Sequence, residues 1–468
     1  MMRIYNTLTK KSEELIPRSA GKVQMFVCGP TVYDLVHIGN ARTFVFFDAF
    51  AKYLRLRGLE VEYLQNITDI DDKIIAKAQA EKIAAAEVAN EFEKEFMTDM
   101  SALGVTGVTR YARATDHIPQ VIEQVKKLIN SGHAYQIKDG WYFDVKKFAG
   151  YGKLSGRSVE MAEDGVSRID ESGEKHNKAD FCLWKFSMAD GEPAWDSEDL
   201  GRGRPGWHIE DTAITEHYFG PQYDIHGGGQ DLIFPHHEAE IAQQESASGL
   251  EPFVQYWMHV AFLVNKGGKM AKSKGNFTTV RRLAEQYSKE TIRQYLFSAD
   301  YRTPLEFSDD ALESFKSAQD NLKKSLRRMM VFNERNAFDI DAPGSAEKLM
   351  AIAEEISVAL EDSFNTASAI GLWSGLVSQA NQLIDEKKFD SKAYEVFKKT
   401  AEEINTVLGI IPEVSAMDTP ADIADLIRQR EKCRSSMDWS GADDIRKQIE
   451  SKGYTLDDTP YGPILSEK

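Results

Sequence analysis

The fold class is decided by residues 24–67, which read QMFVCGPTVYDLVHIGNARTFVFFDAFAKYLRLRGLEVEYLQNI. The apolar run Gln24–Cys28 ends at a Gly-Pro pair and predicts a buried strand. Asn40–Arg57 carries apolar residues at helical spacing, and Val61–Ile67 predicts the next strand. Strand, glycine turn, helix and strand in this order indicate a parallel, doubly wound sheet. An antiparallel α+β domain is the alternative, and it fits the long crossover less well.

The sheet is interrupted and then resumes. Gln222–His226 (QYDIH) predicts a further strand, followed by a glycine turn and a helix that Pro235 opens. Before this strand, residues 116–205 are irregular, with many glycines and charges, and predict a loop-rich insertion. The insertion would therefore separate two halves of one domain, residues 1–115 and 206–265.

The rest of the chain differs in character. Residues 266–308 lead away from the sheet, and helical periodicity dominates residues 309–411. A Pro-bounded linker then leads to a small tail within 412–468 that reads as two helices and a short strand. We therefore expect an α/β protein with a Rossmann-like doubly wound parallel sheet and an insertion, followed by an α-helical bundle and a small C-terminal α+β domain.

Composition narrows the class of protein. The 468 residues include 57 basic and 74 acidic ones, a net charge of −17, which argues against binding to nucleic acid through global charge but allows a local basic patch. There is no signal-like apolar start and no apolar run long enough for a membrane span. The sequence has only three cysteines, Cys28, Cys182 and Cys433, which indicates a reducing compartment and no disulfide framework. We therefore expect a soluble cytoplasmic protein. We expect no chemical role for Cys182 and Cys433.

A polar loop, GPTVYDLVHIGN at residues 29–40, joins the first strand to its helix. In α/β sheets, a strand-end loop that leads into a helix N-terminus binds phosphate. His37 and Asn40 are three residues apart and point the same way from the first helical turn, and Gly39 leaves the backbone bare for a nucleotide base. The alternative is a turn histidine that caps the helix.

A basic loop, KMAKSKGN at residues 269–276, follows two glycines. Its three lysines within six residues suit the charge that builds on a triphosphate when it is split. A solvated surface loop is the alternative, and it is the commoner case for an isolated lysine cluster.

Together the two loops resemble the paired HIGH and KMSKS signatures of class I aminoacyl-tRNA synthetases. Asn40 stands at the position of the second histidine and Ala271 at that of the first serine. Neither departure removes the histidine or the second lysine that meet the phosphates. The resemblance implies ATP-dependent activation of an amino acid, with Mg²⁺ on ATP and phosphate charge stabilised by His37, Asn40, Lys269 and Lys272.

A third set of residues concerns the amino acid. His236 and Glu240 are four apart on the predicted helix, which suits two ligands of one metal ion, although a surface helix bearing His and Glu is the local alternative. The segments CGPTVYDLVHIGNAR, NITDIDDK, GRPGWHIE and DIHGGGQDLIFPHHEAEIAQ closely resemble the cysteinyl-tRNA synthetase family, and the resemblance runs over nearly the whole chain. That family holds zinc with two cysteines, a histidine and a glutamate. The resemblance thus implies one metal ion bound by Cys28, Asp211, His236 and Glu240, with Asp211 at the position of the second cysteine.

Because Asp211 replaces a soft thiolate with a carboxylate, the implied site has harder ligands than the family's site. Aspartate is a legitimate zinc ligand, and the ligand charge is unaltered because a carboxylate replaces a thiolate. One sulfur, one nitrogen and two oxygens still favour zinc, but they exclude other divalent ions less strictly.

The resemblance also implies substrates. Cysteine would meet Thr68, Trp207 and His226, with plain core packing as the alternative for Trp207. ATP would meet the backbone at Gly29, Thr31 and the glycine turn from Gly227, and its ribose would meet Asp231. The implied reaction is the activation of L-cysteine by ATP and its transfer to tRNA(Cys), by an enzyme that we expect to be a monomer.

tRNA binding would use the later segments. The resemblance implies a signature-lysine loop and stem-contact region at 266–308, a tRNA-binding bundle at 309–411 and an anticodon-binding domain at 412–468. The tail concentrates basic residues around an aromatic one, a pattern suited to unstacked bases: Arg428, Arg430, Arg434 and Trp439. A charged, solvent-exposed helix pair is the alternative, because aspartates are interspersed.

Two other functions stay open at this point. A paralogue that ligates activated cysteine to a small amine would be expected to lack the anticodon-type tail, which this sequence retains. A non-catalytic tRNA-binding protein would be expected to have lost His37, Lys272 or the metal ligands, and here only Asp211 departs.

Overall fold

A computed structural model describes residues 2–157, 173–187, 192–265, 268–269, 277–334, 343–414, 419–459 and 462–467. The chain forms two compact units. The first contains residues 1–308 and 361–365, and the second contains residues 309–360 and 366–468. The finer division that the sequence suggests within each unit stays a prediction.

The strands of the first unit are β1 (Arg3–Asn6), β2 (Lys11–Glu14), β3 (Lys22–Val27), β4 (Glu60–Ile67), β5 (Arg110–Arg113), β6 (Ala134–Ile137), β7 (Gly140–Phe143), β8 (Phe181–Phe186), β9 (Gly203–Pro205), β10 (Tyr223–Gly229), β11 (Val254–Val260), β12 (Leu263–Asn265), β13 (Gly268–Lys269) and β14 (Leu305–Glu306). Its helices are α1 (Ile38–Leu56), α2 (Asp72–Glu81), α3 (Ala85–Ala102), α4 (Ile118–Asn130), α5 (Ile209–Phe219), α6 (Glu238–Ser248), α7 (Val280–Ala284) and α8 (Lys289–Leu296).

Among the described residues, five parallel strands form the central sheet in the order β11-β10-β3-β4-β5. The predicted doubly wound parallel sheet is therefore confirmed. The strand order reverses between β3 and β10, and open α/β sheets bind ligands outside the carboxyl ends of the strands at such a switch point. Cys28 follows β3 directly, so the polar loop after it opens into this crevice.

Helix α1 covers the sheet from the predicted position. It runs from Ile38 to Leu56, and His37 is its N-cap, because the His37 Nδ1 atom accepts a hydrogen bond of 3.3 Å from the Asn40 backbone N–H. Phe47 on this helix is fully buried. The strand–helix–strand unit β3-α1-β4 is thus the crossover that the sequence predicts.

The glycine run after the QYDIH segment is not the predicted turn. Strand β10 continues through it to Gly229, and Gly227 pairs with Val27 of β3 and Met258 of β11. A Cβ atom at Gly227 would lie 2.2 Å from Cζ of Phe47. The glycine therefore allows α1 to pack closely on the sheet, which is why a strand tolerates it here.

The helix after β10 begins later than the sequence suggests. Phe234 is extended, with φ −140° and ψ 131°, inside an irregular turn over Ile233–His237. Regular helix starts at Glu238 rather than at Pro235. His236 therefore lies in the turn, and Glu240 lies in the first turn of α6.

The insertion is more regular than a loop-rich segment. Helix α4 precedes an antiparallel sheet of strands in the order β6-β7-β8-β9. Its core joins Phe143 and Trp184 from this sheet to Val125 of α4. The strands of this sheet are only three to six residues long, and Phe181–Trp184 of β8 is buried at every position, so no strand here shows a long alternating pattern in the sequence.

The second unit is helical and ends in a hairpin. Its elements are α9 (Asp309–Glu334), α10 (Ser345–Glu361), α11 (Thr366–Asp385), α12 (Ser391–Leu408), α13 (Ala421–Ser435), α14 (Trp439–Ser451), β15 (Tyr454–Thr459) and β16 (Gly462–Glu467). Trp373 of α11 is buried against Phe397 of α12, with ring centroids 5.4 Å apart. The tail has its own small core of Ile423, Ile449, Leu456 and Leu465. The sequence predicted one strand there, and the structure has an antiparallel pair.

No described helix has the length and apolar composition that crossing a bilayer requires.

We predict that Gly227→Ala destabilises the first unit. The added Cβ overlaps the Phe47 ring, so the helix or the strand must shift, at a cost of about 1–3 kcal/mol of unfolding free energy. Denaturant unfolding of the full chain measures the loss. Gly173→Ala is the matched control, because a Cβ there meets nothing within 4 Å, and its unfolding midpoint should stay unchanged. Equal stability of the two variants would contradict the packing role.

Candidate active site and metal centre

A cavity of about 530 Å³ opens at the switch point between β3 and β10. Eleven of the residues singled out from the sequence line it: Cys28, Gly29, Thr31, His37, Gly39, Asn40, Thr68, Trp207, Asp211, Asp231 and His236. As far as the described chain defines the lining, His226, Gly227 and Glu240 are not part of it. The structure therefore brings the polar loop, the GWHIE segment and the segment after β10 to one place.

The end of the cavity at α1 has the features of an anion site. His37 caps the helix and lines the cavity, so capping and ligand contact are compatible uses of this side chain. A Cβ atom at Gly39 would lie 3.0 Å from Nδ1 of His37, so this glycine makes room for the imidazole. The backbone of Lys269 pairs with Val264 in β12 and β13, whereas Lys272 lies outside the described residues.

Four buried side chains converge below the cavity as the sequence predicts. The ligand atoms of Cys28, Asp211, His236 and Glu240 all lie within 4.8 Å of one another. His236 Nε2 is 3.0 Å from Asp211 Oδ2 and 3.0 Å from Glu240 Oε1, and Cys28 Sγ is 4.0 Å from Glu240 Oε1. Bonds of ~2.0–2.3 Å in a tetrahedral site place ligand atoms roughly 3.3–3.8 Å apart, so this set fits one zinc-sized ion.

A second set of ligands overlaps the first. Cys28 and Glu240 are also within 4.8 Å of His226 and His237. Cys28 Sγ lies 3.4 Å from His226 Nε2 and 3.1 Å from His237 Nε2. Sequence reasoning assigned His226 to the substrate and missed His237, because its neighbour His236 already satisfied the i, i+4 spacing to Glu240.

Electrostatics favour a cation at this cluster. Burial, then the charges of Glu240 and Asp211, raises the pKa of the Cys28 thiol well above its ordinary value. Burial and the nearby carboxylates of Asp211 and Glu210 likewise raise the pKa of Glu240. Buried acidic groups of this density stay ionised only beside a positive partner, which a divalent ion would supply.

The donor set fits a metal by two further observations. Within the described part of the chain, the buried Oε2 atom of Glu240 has no hydrogen-bond partner. Burial also lowers the pKa of His226 and His237 well below the usual value, which keeps both imidazoles in the neutral form that ligates metals. The residues present therefore fit a bound divalent ion.

Three buried polar side chains beside the cluster, Asn66, His208 and Glu210, were not singled out from the sequence. The Asn66 amide donates to Asp211 Oδ1 at 2.6 Å, and Thr68 is hydrogen-bonded to Glu210. His208 Nδ1 lies 2.7 Å from His236 Nδ1, which orients the ring whose Nε2 faces the carboxylates. Glu210 and His208 flank predicted positions in the GWHIED segment, and that proximity was the available signal.

Trp207 is not a core residue. Its side chain is 39% exposed, and its ring stacks on His236 with centroids 4.4 Å apart. Because Trp207 also lines the cavity, it is placed to cover the ligand cluster from the side that a substrate would approach.

The tail patch differs from the open basic surface that the sequence predicts. Arg430 is buried and makes two hydrogen bonds of 2.7 Å to the carboxylate of Asp458 in β15. Arg434 donates to the same carboxylate at 2.9 Å, and Arg428 pairs with Asp425. Trp439, by contrast, is 60% exposed.

Comparisons with known proteins agree on the class. The family model described as the tRNA synthetases class I (C) catalytic domain matches residues 14–317. Among solved structures, a Mycobacterium tuberculosis methionyl-tRNA synthetase in complex with methionyl-adenylate superposes with a TM-score of 0.64 at 18% identity, over 89% of this chain and 96% of that one. A putative arginyl-tRNA synthetase from Campylobacter jejuni superposes with a TM-score of 0.57 at 13% identity, over 84% and 94%. At these identities the structural likeness shows the fold.

Sequence relatives are more specific. Cysteine–tRNA ligase of Clostridioides difficile (strain 630) is 42% identical over 471 residues, 98% of this chain and 99% of the relative. The cysteine–tRNA ligases of Desulforamulus reducens and Carboxydothermus hydrogenoformans are each 41% identical with the same two shares of coverage.

The fold and the matching family model define a class I aminoacyl-tRNA synthetase, an enzyme class. Within that class, the chain belongs to the cysteine–tRNA ligase family.

We predict that Asp458→Ala destabilises the tail. Removal of the carboxylate leaves the buried guanidinium of Arg430 without its main partner, at a cost of about 1–3 kcal/mol. Limited proteolysis within 419–467 reports this local loss. Asp425→Ala is the control, because its pair with Arg428 is solvent-exposed and contributes about 0–1 kcal/mol. Similar protection in both variants would show that the Arg430 pair does not hold the hairpin.

Proposed function

We propose that this enzyme activates L-cysteine with ATP in the switch-point cavity and transfers it to the 3′ end of tRNA(Cys). The observation that carries the proposal is the shared lining: three members of the buried Cys–Asp–His–Glu set face the same cavity as His37 and Asn40. Family membership over nearly the full length of the chain supports the same reaction.

In the first step the cysteine carboxylate attacks the α-phosphate of ATP, and pyrophosphate leaves. His37 and Asn40 at the start of α1 stabilise the phosphate charge, together with Lys269 and Lys272 and the Mg²⁺ that accompanies ATP. Gly29 and Thr31 line the cavity and bring backbone close to the nucleotide, and Asp231 accepts from the ribose. No covalent enzyme intermediate is needed, because positioning and electrostatics suffice.

We assign Gly227 a structural role in place of the contact with ATP that the sequence predicts. The packing of Phe47 accounts for the missing side chain, so we assign this residue to the shape of the sheet. Backbone approach to the nucleotide then rests on Gly29 and on Gly229, which lines the cavity beside Asp231.

We assign the metal to Cys28, Asp211, His236 and Glu240, and we infer that it is zinc. Cys28, Asp211 and His236 line the cavity, whereas His226 and His237 of the overlapping set are fully buried. When bound there, zinc supplies a soft Lewis-acid site that takes a thiolate in preference to a hydroxyl group. Thr68 and Trp207 complete the pocket, and His226 supports Cys28 from behind at 3.4 Å.

In the second step the 2′-hydroxyl group of the terminal tRNA adenosine attacks the carbonyl carbon of the cysteinyl-adenylate, and AMP leaves. We propose that Trp439 stacks on an unpaired anticodon base. Arg428 and Arg434 add positive charge near it, whereas Arg430 acts through the packing of β15.

A paralogue that ligates cysteine to a small amine is not favoured, since relatives matched over 98% of this chain share the tail and are cysteine–tRNA ligases. A non-catalytic tRNA-binding role is disfavoured by the retained His37 and by the converging ligands. The monomeric state and the cytoplasmic location stay predictions.

We predict that chelation of the metal abolishes cysteine activation. ATP–pyrophosphate exchange with cysteine should fall at least about 10-fold in metal-free protein and return with Zn²⁺, because the thiol-binding group is then missing. Serine should support little exchange in either state. Full cysteine-dependent exchange without metal would refute the assignment, and exchange without subsequent charging of tRNA(Cys) would refute the ligase function.

We predict that Trp439→Ala weakens tRNA charging and spares adenylate formation. Loss of one base–aromatic stack costs about 1–3 kcal/mol, so charging at limiting tRNA should fall roughly 5- to 150-fold while exchange is unchanged. Leu250→Ala, another exposed apolar residue, is the control and should alter neither rate. Equal loss of both activities in Trp439→Ala would reject a role confined to tRNA.

A further inference from the structure

The two overlapping ligand sets raise the question of what keeps an ion on the cavity side. Both sets use Cys28 and Glu240. Glu240 turns Oε1 toward His236, at 3.0 Å, and Oε2 toward His226, at 3.5 Å. The two sets therefore differ only in whether Asp211 and His236 or His226 and His237 complete the coordination. Only the first pair lines the cavity, so the choice decides whether substrate reaches the ion.

We call Cys28, Asp211, His236 and Glu240 the cavity-side set. Within it, Asp211 needs a neighbouring residue to determine how its carboxylate binds the metal ion. A thiolate offers a metal one donor atom, whereas a carboxylate offers two oxygens and can bind through either or both. In this chain Asp211 Oδ1 accepts a 2.6 Å hydrogen bond from the Asn66 side chain, and Oδ2 lies 3.0 Å from His236 Nε2. One oxygen is therefore occupied, and the other faces the ligand cluster.

The orientation of the Asn66 amide is determined by its neighbours. The backbone N–H of Gly29 must donate, and it lies 2.5 Å from Oδ1 of Asn66. The amide nitrogen consequently faces the other way, toward Asp211 Oδ1 and, at 3.2 Å, Thr68 Oγ1. Asn66 is buried, and Gly29 packs so closely that a Cβ there would lie 1.8 Å from the Asn66 carbonyl oxygen. This packing leaves the amide little freedom to turn.

We propose that Asn66 is a positioning residue that makes Asp211 a one-oxygen ligand and thereby holds the metal ion on the cavity side. Without its hydrogen bond, the ion would shift to the enclosed set of Cys28, His226, His237 and Glu240. The proposal rests on the metal assignment under the proposed function, and it concerns a ligand by which this chain departs from the cysteine pair of the family.

The test uses Co²⁺ bound to metal-free full-length protein, because thiolate-to-cobalt absorption counts sulfur ligands without any measurement of activity. In the unchanged protein the band should correspond to one thiolate, from Cys28, and should roughly double when L-cysteine is added. Asn66→Asp keeps the acceptor for Gly29 but replaces the donor with an oxygen that repels Asp211. Its band should not increase with L-cysteine, and its Co²⁺ affinity should fall roughly 10- to 100-fold.

Further variants separate positioning from general disturbance. Asn66→Ala removes the donor without adding charge and should also lose the response to L-cysteine, which keeps the test available if Asn66→Asp fails to fold. Glu210→Gln alters the same hydrogen-bond set but leaves the Asn66–Asp211 contact, so the response should persist. In Asp211→Cys the ligand has a single donor atom, and adding Asn66→Asp should no longer abolish the response.

The outcomes are distinct. An Asn66→Asp or Asn66→Ala protein that responds to L-cysteine with unchanged Co²⁺ affinity overturns the inference and leaves the metal assignment intact. An unchanged protein that binds Co²⁺ without a thiolate band, or without any response to L-cysteine, overturns the metal assignment and the inference together. If the Asp211→Cys/Asn66→Asp double variant still shows no increase of the band with L-cysteine, Asn66 does not act through the second oxygen of Asp211, and the inference is overturned.

Discussion

The burial of several anionic groups within one small volume is the constraint on which this active site depends. Cys28, Asp211 and Glu240 come from three separate parts of the sequence and meet beneath the end of β3, with Glu210 close by. Without a cation, burial and mutual repulsion raise the pKa of the thiol and of the glutamates. A bound metal ion would remove this cost, and the surrounding neutral histidines and the Asn66 amide would then support its ligands.

The crevice at the switch point between β3 and β10 depends on two close contacts that only glycine permits. Gly227 lets Phe47 of α1 contact β10, and Gly29 lets the loop after β3 contact the backbone of Asn66. These contacts draw α1, β3, β4 and β10 together, so that the helix N-terminus and the ligand cluster share one cavity. The proposed nucleotide site and the proposed thiol-binding site are thus neighbours because the sheet is tightly packed at its switch point.

Much of the site could be anticipated because its members lie in short segments with a strong local pattern. The HIGN loop, the GWHIE segment and the His236–Glu240 spacing are each visible in the sequence, and the structure brings them together. His237, Asn66 and Glu210 were missed because their importance depends on partners 37 to 209 residues away. Arg430 was expected to face RNA, but its burial against Asp458 depends on a hairpin whose second strand the sequence did not reveal.

The sequence by itself determined the doubly wound sheet, the helical region after residue 308 and the family, because hydrophobic periodicity and paired motifs are local properties. The resemblance to that family also implies that a carboxylate, Asp211, stands at the position of its second cysteine. Only the tertiary structure decided that β10 runs through its glycines, that two ligand sets share Cys28 and Glu240, and that Asn66 holds one oxygen of Asp211. These features follow from distances between residues far apart in the chain, and packing alone sets those distances.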